Sequence, residues 1–122
     1  MGTSVLNVTT SSGHLIRAYA HSTPSSEHGD KKTKNHVTLM MLNFNSGPAE
    51  VSPSLGGHPS CLARKTARKF TLEAGPNSAV LLNGNRLAFA SQEATTLPPL
   101  VGVPSGCRTV KLLPLSATWL VV

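Results

Sequence analysis

With 122 residues the chain has room for one domain with a real core, and it is too short to contain a large catalytic barrel. Only 13% of the residues are charged, with 10 Gly and 9 Pro, a balance that favours strands and turns and argues against long amphipathic helices. Eleven Lys and Arg against five acids give a formal net charge of +6, which attracts polyanions; the scarce aromatics (Tyr19, Phe44, Phe70, Phe89, Trp119) offer little area for stacking bases, so no nucleic-acid partner is expected.

In chain order, residues 4–10 and 14–22 are two β-leaning runs separated by Ser11-Ser12-Gly13. In the second, alternation puts Leu15, Arg17, Tyr19 and His21 on one side and Ile16, Ala18 and Ala20 on the other, and the small apolar side is expected to face inward. Residues 22–35 carry Pro, Gly, Ser and three lysines without an apolar anchor, so they form a solvated loop. Residues 36–47 are the strongest strand signal, expected at the centre of a sheet with Val37, Leu39, Met41 and Phe44 towards the core. Ala49 to Leu55 continues as a short edge strand limited by Pro53.

The basic residues Arg64, Lys65, Arg68 and Lys69 have spacings compatible with one helical face, but the preferred reading is a basic loop over 54–68 that runs into a strand over 69–74. A turn at Gly75-Pro76-Asn77 follows. Then "AVLLN" and "RLAFA" flank Asn83-Gly84-Asn85, where Asn and Gly tolerate the positive φ of a tight hairpin. "LPPLVGVP" (97–104) is read as a stiff connector, and two last apolar runs in 108–122 break at Pro114, the second with Ala117, Trp119 and Val121 on one face. Eight or nine short strands at hairpin-like spacing predict one all-β domain, an antiparallel β-sandwich over residues 1–122.

Chemistry is hard to find. Glycoside hydrolysis needs two carboxylates about 5 to 10 Å apart, and the five acids form no recognisable pair; Glu73 and Glu93 are the nearest to candidates. There is no Gly-x-Ser-x-Gly elbow and no phosphate-cradling loop. The five histidines (His14, His21, His28, His36, His58) have no metal-site spacing, and Cys61 and Cys107 belong to no Cys-x-x-Cys pair, so neither a metal nor a cofactor is expected. The two cysteines either remain thiols or close a loop of roughly 45 residues, worth about 3 to 4 kcal/mol by the chain-entropy model. Lys31, Lys32 and Lys34 form one basic run, and Arg64, Lys65, Arg68 and Lys69 form another, able to grip sulfate or uronate groups. Asn7-Val8-Thr9 is a glycosylation sequon, relevant only in the secretory pathway. No run approaches the roughly 18 apolar residues of a membrane span, and the first residues lack the basic and apolar regions of a signal peptide.

Taken in order, "IRAYAHS" (16–22), "VTLMMLNFN" (37–45) and "VLLNGNRLAF" with its following "LPPL" resemble the C-terminal part of heparanase-like glycoside hydrolases, especially the plant endo-β-glucuronidase branch, over about residues 3–121. The hairpin and spacer are the most specific pieces. In that family a (β/α)8 barrel carries the acid/base and nucleophile glutamates, and the C-terminal β-sandwich packs against it. The resemblance therefore implies a non-catalytic accessory domain whose partners are a catalytic barrel and an acidic polysaccharide. It also implies extracellular, vacuolar or membrane-associated placement. Neither catalytic glutamate has a matching position here, and Ser22 stands where the family often has Cys. The competing expectation, independent of the family, is a freestanding module that binds sulfated or uronate-rich polysaccharide through Arg64, Lys65, Arg68 and Lys69.

Overall fold

The computed structural model describes residues 4–11, 13–23, 36–54, 67–88, 91, 98–106 and 108–122. These hold ten strands: β1 (Val5–Leu6), β2 (Ile16–Thr23), β3 (His36–Asn43), β4 (Ala49–Val51), β5 (Ala67–Ala74), β6 (Val80–Leu82), β7 (Asn85–Arg86), β8 (Val103–Ser105), β9 (Val110–Leu112) and β10 (Ser116–Val121). One 3-10 turn at Pro76–Ser78 is the sole helical element among the described residues, none of which forms a helix long and apolar enough to cross a membrane.

Every strand pairing is antiparallel, in two layers. The large sheet runs β1-β2-β3-β10-β5-β6-β7, with β8 also on β5, and the small layer is the ribbon β4-β9. The chain is thus an all-β, sandwich-like domain. Its last strand, β10, lies at the middle of the large sheet, between β3 and β5.

Alternation decides which side of each strand is buried. In β10, Ser116, Thr118 and Leu120 are buried while Ala117, Trp119 and Val121 are half-buried. Register carries this pattern across the sheet, so Ile16, Ala20, Leu39, Met41, Ala67, Leu120 and Val122 share an inner face with Val110 and Leu112 of the ribbon packed into the same core. Ala49 and Val51 of β4 pack against that cluster. On the ribbon's other side Glu50 and Lys111 stand opposite one another, exposed.

The inner face also contains polar groups, and these are matched. Asn43 is 1% exposed. Its Nδ2 donates to the Gly47 and Leu113 carbonyls, at 3.1 and 2.8 Å, while its Oδ1 accepts from the Asn45 backbone and side-chain N–H groups. One amide thereby ties the loop after β3 to the loop before β10, and the desolvation cost of burying it is offset. The Ser116 hydroxyl donates to the same Leu113 carbonyl.

Several expectations need adjustment. The small apolar side of β2 does face inward, and β3 is central. Phe44, expected in the core, is 53% exposed, because β3 ends at Asn43 and the chain turns there under the Asn43 hydrogen bonds. The strand expected over 69–74 begins at Ala67, so Arg68 and Lys69 belong to β5. The end of the 97–104 connector is itself a strand, β8, pairing with Ala67–Lys69 of β5. Pro104 is tolerated because β8 lies at an edge.

Candidate functional site

The predicted basic patch divides. Arg68 and Lys69 are consecutive residues of a strand, so they point to opposite faces, Arg68 outward and Lys69 towards the ribbon side. Arg68 is held in place by an Nη1 hydrogen bond to the Gly102 carbonyl at 3.1 Å. Arg64, Lys65, Lys31, Lys32, Lys34, Cys61, Cys107 and Glu93 lie outside the described residues, as does most of the 22–35 loop. Glu73 is half-buried in β5 of the large sheet, and Glu50 is exposed on β4 of the ribbon; among the described residues these two are the only carboxylates, on different sheets. No group of three His, Cys, Asp or Glu able to hold a metal occurs among the described residues. In the sequon Val8 packs against the core, which leaves Asn7 and Thr9 exposed.

The hairpin that dominates the sequence is a junction. Its turn residues Asn83 and Gly84 have φ of 51° and 80°, the positive pair that a type I′ turn requires, and Leu82 pairs with Asn85 across them. The edge of β5 is shared: β6 covers Leu72–Ala74 and β8 covers Ala67–Lys69, which leaves Phe70 and Thr71 between them. Asn83 fills that gap. Its backbone N–H donates to the Thr71 carbonyl and its Oδ1 accepts from the Thr71 N–H, while its Nδ2 donates to the Val101 carbonyl at 3.0 Å. One residue therefore joins the hairpin, the central sheet and the Pro-rich connector. The connector is fastened again one residue on, where Gly102 lies so close under Phe70 that a Cβ would stand 2.5 Å from the ring's Cζ.

The outer face of the large sheet is the other feature. Register places Tyr19, Met40, Trp119 and Phe70 in one cross-strand row. At about 4.8 Å per strand that row is about 14 Å long. A parallel row reads Arg17, Leu42, Ala117, Leu72, and on the other side His21, Thr38, Val121, Arg68. Tyr19 is 46% exposed. Beyond the Leu42 row the sheet end opens into a groove of about 450 Å³, with Leu42, Leu72 and Ala117 on its floor and Phe44, Val80 and Leu115 among its walls. Those three wall residues are all exposed apolar side chains, Leu115 at 66%.

Part of this surface is legible in the sequence. Alternation alone groups Leu15 with Arg17, Tyr19 and His21, and Ala117 with Trp119 and Val121. That the two groups lie in the same rows depends on pairing between residues about 100 positions apart, for which the sequence contains no local signal. No protein-family model matches the chain, and no curated protein matches it.

Proposed function

We propose that this chain is the accessory β-sandwich of a heparanase-like glycoside hydrolase, a scaffold that packs against a catalytic barrel, helps to hold an acidic glycan and has no catalytic group of its own. The observation that carries the reading is the Asn83 junction. Asn83 of the Leu-Leu-Asn-Gly hairpin, one of the two motif pieces most specific to the resemblance, is hydrogen-bonded to the large sheet at Thr71 and to Val101, the residue that follows the Leu-Pro-Pro-Leu piece. Such a motif does structural work, and a scaffold domain is where it belongs. Among the described residues the acids agree with this, since retaining glycosidases need carboxyls about 5 Å apart and Glu50 and Glu73 occupy different sheets. Extracellular, vacuolar or membrane-associated placement follows from the same reading. The freestanding polyanion module draws less support, because Arg68 and Lys69 leave β5 on opposite sides.

The test is to read the coding sequence upstream of Met1 in the same frame. A barrel with two glutamates at strand ends is expected there, and a stop codon just before Met1 would sink the proposal. In parallel, the purified chain is expected to leave a chromogenic β-glucuronide uncleaved; cleavage that disappears in Glu73→Gln or Glu93→Gln would overturn the non-catalytic assignment.

A further inference from the structure

We infer that Asn83-Gly84 is a site of self-modification and acts as a one-way latch: when the connector opens at Val101 and Gly102, Asn83 converts to aspartate or isoaspartate, and the connector then no longer closes on the hairpin. This is the only Asn-Gly pair in the chain. Glycine matters because it has no side chain to obstruct the approach of its own backbone nitrogen. The chemistry needs only water. The Gly84 backbone nitrogen gives up its proton and attacks Cγ of Asn83, so that a C–N bond forms, the Cγ–Nδ2 bond breaks and ammonia leaves. Water then opens the resulting succinimide at one of its two carbonyls, giving isoaspartate or aspartate.

The fold holds the reacting atoms apart. Asn83 Oδ1 accepts from the Thr71 N–H at 2.9 Å and its Nδ2 donates to the Val101 carbonyl at 3.0 Å, so swinging Cγ back onto the Gly84 nitrogen breaks both bonds. The connector is seated by two further contacts one residue on. Arg68 Nη1 donates to the Gly102 carbonyl at 3.1 Å, and Gly102 lies directly against the Phe70 ring. Unseating the connector removes one of the two restraints on the amide and leaves the single bond from Thr71. Opening of the connector is therefore the step that admits the reaction.

The product cannot return to the starting arrangement. A carboxylate accepts and does not donate, so the Thr71 N–H keeps its acceptor while the Val101 carbonyl meets an oxygen where Nδ2 stood. In isoaspartate the main chain also runs through the side-chain carbon, and the added atom upsets the register of Leu82 with Asn85. An internal control lies nearby. Asn77, followed by Ser78, is exposed on a turn with φ of 56°, and among the described residues its side chain makes no hydrogen bond. Serine obstructs its nitrogen more than glycine does, so Asn83 reacts ahead of Asn77 in an unfolded chain. In the folded chain the held amide places Asn83 behind Asn77.

The inference does not depend on the accessory-domain reading, and the full chain serves for its test. Purified protein would be incubated at mildly alkaline pH with and without urea, and conversion at each Asn followed by peptide mapping of the one-dalton mass gain. In urea Asn83 should convert ahead of Asn77. In buffer the order should reverse, with Asn83 slowed by about tenfold or more. Arg68→Ala, an exposed change that removes one hold on the connector, should speed Asn83 in buffer by about two- to tenfold and leave Asn77 unchanged. The Asn83→Asp chain should show displaced amide signals at Val101 and Gly102 with the β2 and β3 signals in place. Conversion of Asn83 as fast in buffer as in urea would overturn the inference, because the junction then protects nothing. So would an Arg68→Ala chain that keeps the parent's rate. An Asn83→Asp chain whose connector signals match the parent's, or one that loses the β2 and β3 signals as well, would do the same.

Discussion

Asn83 does three things with one residue: it turns the hairpin, continues the edge of β5 at Thr71 and fixes the connector at Val101. Its side chain matters because an alanine there keeps neither side-chain bond and leaves the Thr71 N–H unpaired. Removing a partner from a part-buried donor costs about 1 to 3 kcal/mol, and the positive φ adds to this. Asn83→Ala is therefore expected to lower the urea midpoint by that amount of stability, whereas Asn85→Ala, in the exposed β7 with one long contact of 3.4 Å, should stay within about 0.5 kcal/mol of the parent. Gly102 sets the opposite constraint. Its Cβ would meet the Cζ, Cε2 and Cε1 atoms of Phe70 together, so the whole ring would have to move. Gly102→Ala should cost about 1 to 3 kcal/mol by overpacking, measured by thermal melting, and combining it with Phe70→Leu should recover part of the loss.

At the level of elements, local pattern and long-range pairing separate what the sequence makes legible from what it does not. The Asn-Gly hairpin, the central place of β3 and the inward side of β2 follow from turn chemistry and alternation over a few residues. Phe44 reads as core from hydrophobicity, yet it stands past the end of β3, where the Asn43 network turns the chain; a buried Asn gives no sign in the sequence of which loops it will join. The β4-β9 ribbon was hidden in the same way, since its strands are three residues each and lie about 60 positions apart. As for the candidate site, alternation shows which residues share a side of one strand, and the outer rows exist only through register between distant strands. The ribbon still carries much of the core. Leu112 is wholly buried, so Leu112→Ala is expected to cost about 2 to 5 kcal/mol in urea unfolding, while the exposed neighbour Lys111→Ala should cost little.

For the whole molecule, β10 determines how the domain holds together. The large sheet is two half-sheets, β1-β2-β3 and β5 with β6, β7 and β8, and β10 is the seam between them. Its inner residues Thr118 and Leu120 are fully buried, and Thr118 and Thr71 oppose each other across the seam with their hydroxyls 3.4 Å apart. A chain ending at residue 115 should therefore show no cooperative unfolding transition in circular dichroism. The intact chain should show one, because the seam makes both halves depend on each other.

The seam also sets a sequence of events at the ribosome. Synthesis runs towards the C-terminus and β10 follows the nine other described strands, so β3 and β5 both emerge before the strand that joins them exists. Through that interval the facing edges of β3 and β5 are open to any other extended segment, and the nascent chain's exposure to chaperones and to neighbouring nascent chains lasts until Val121 has cleared the exit.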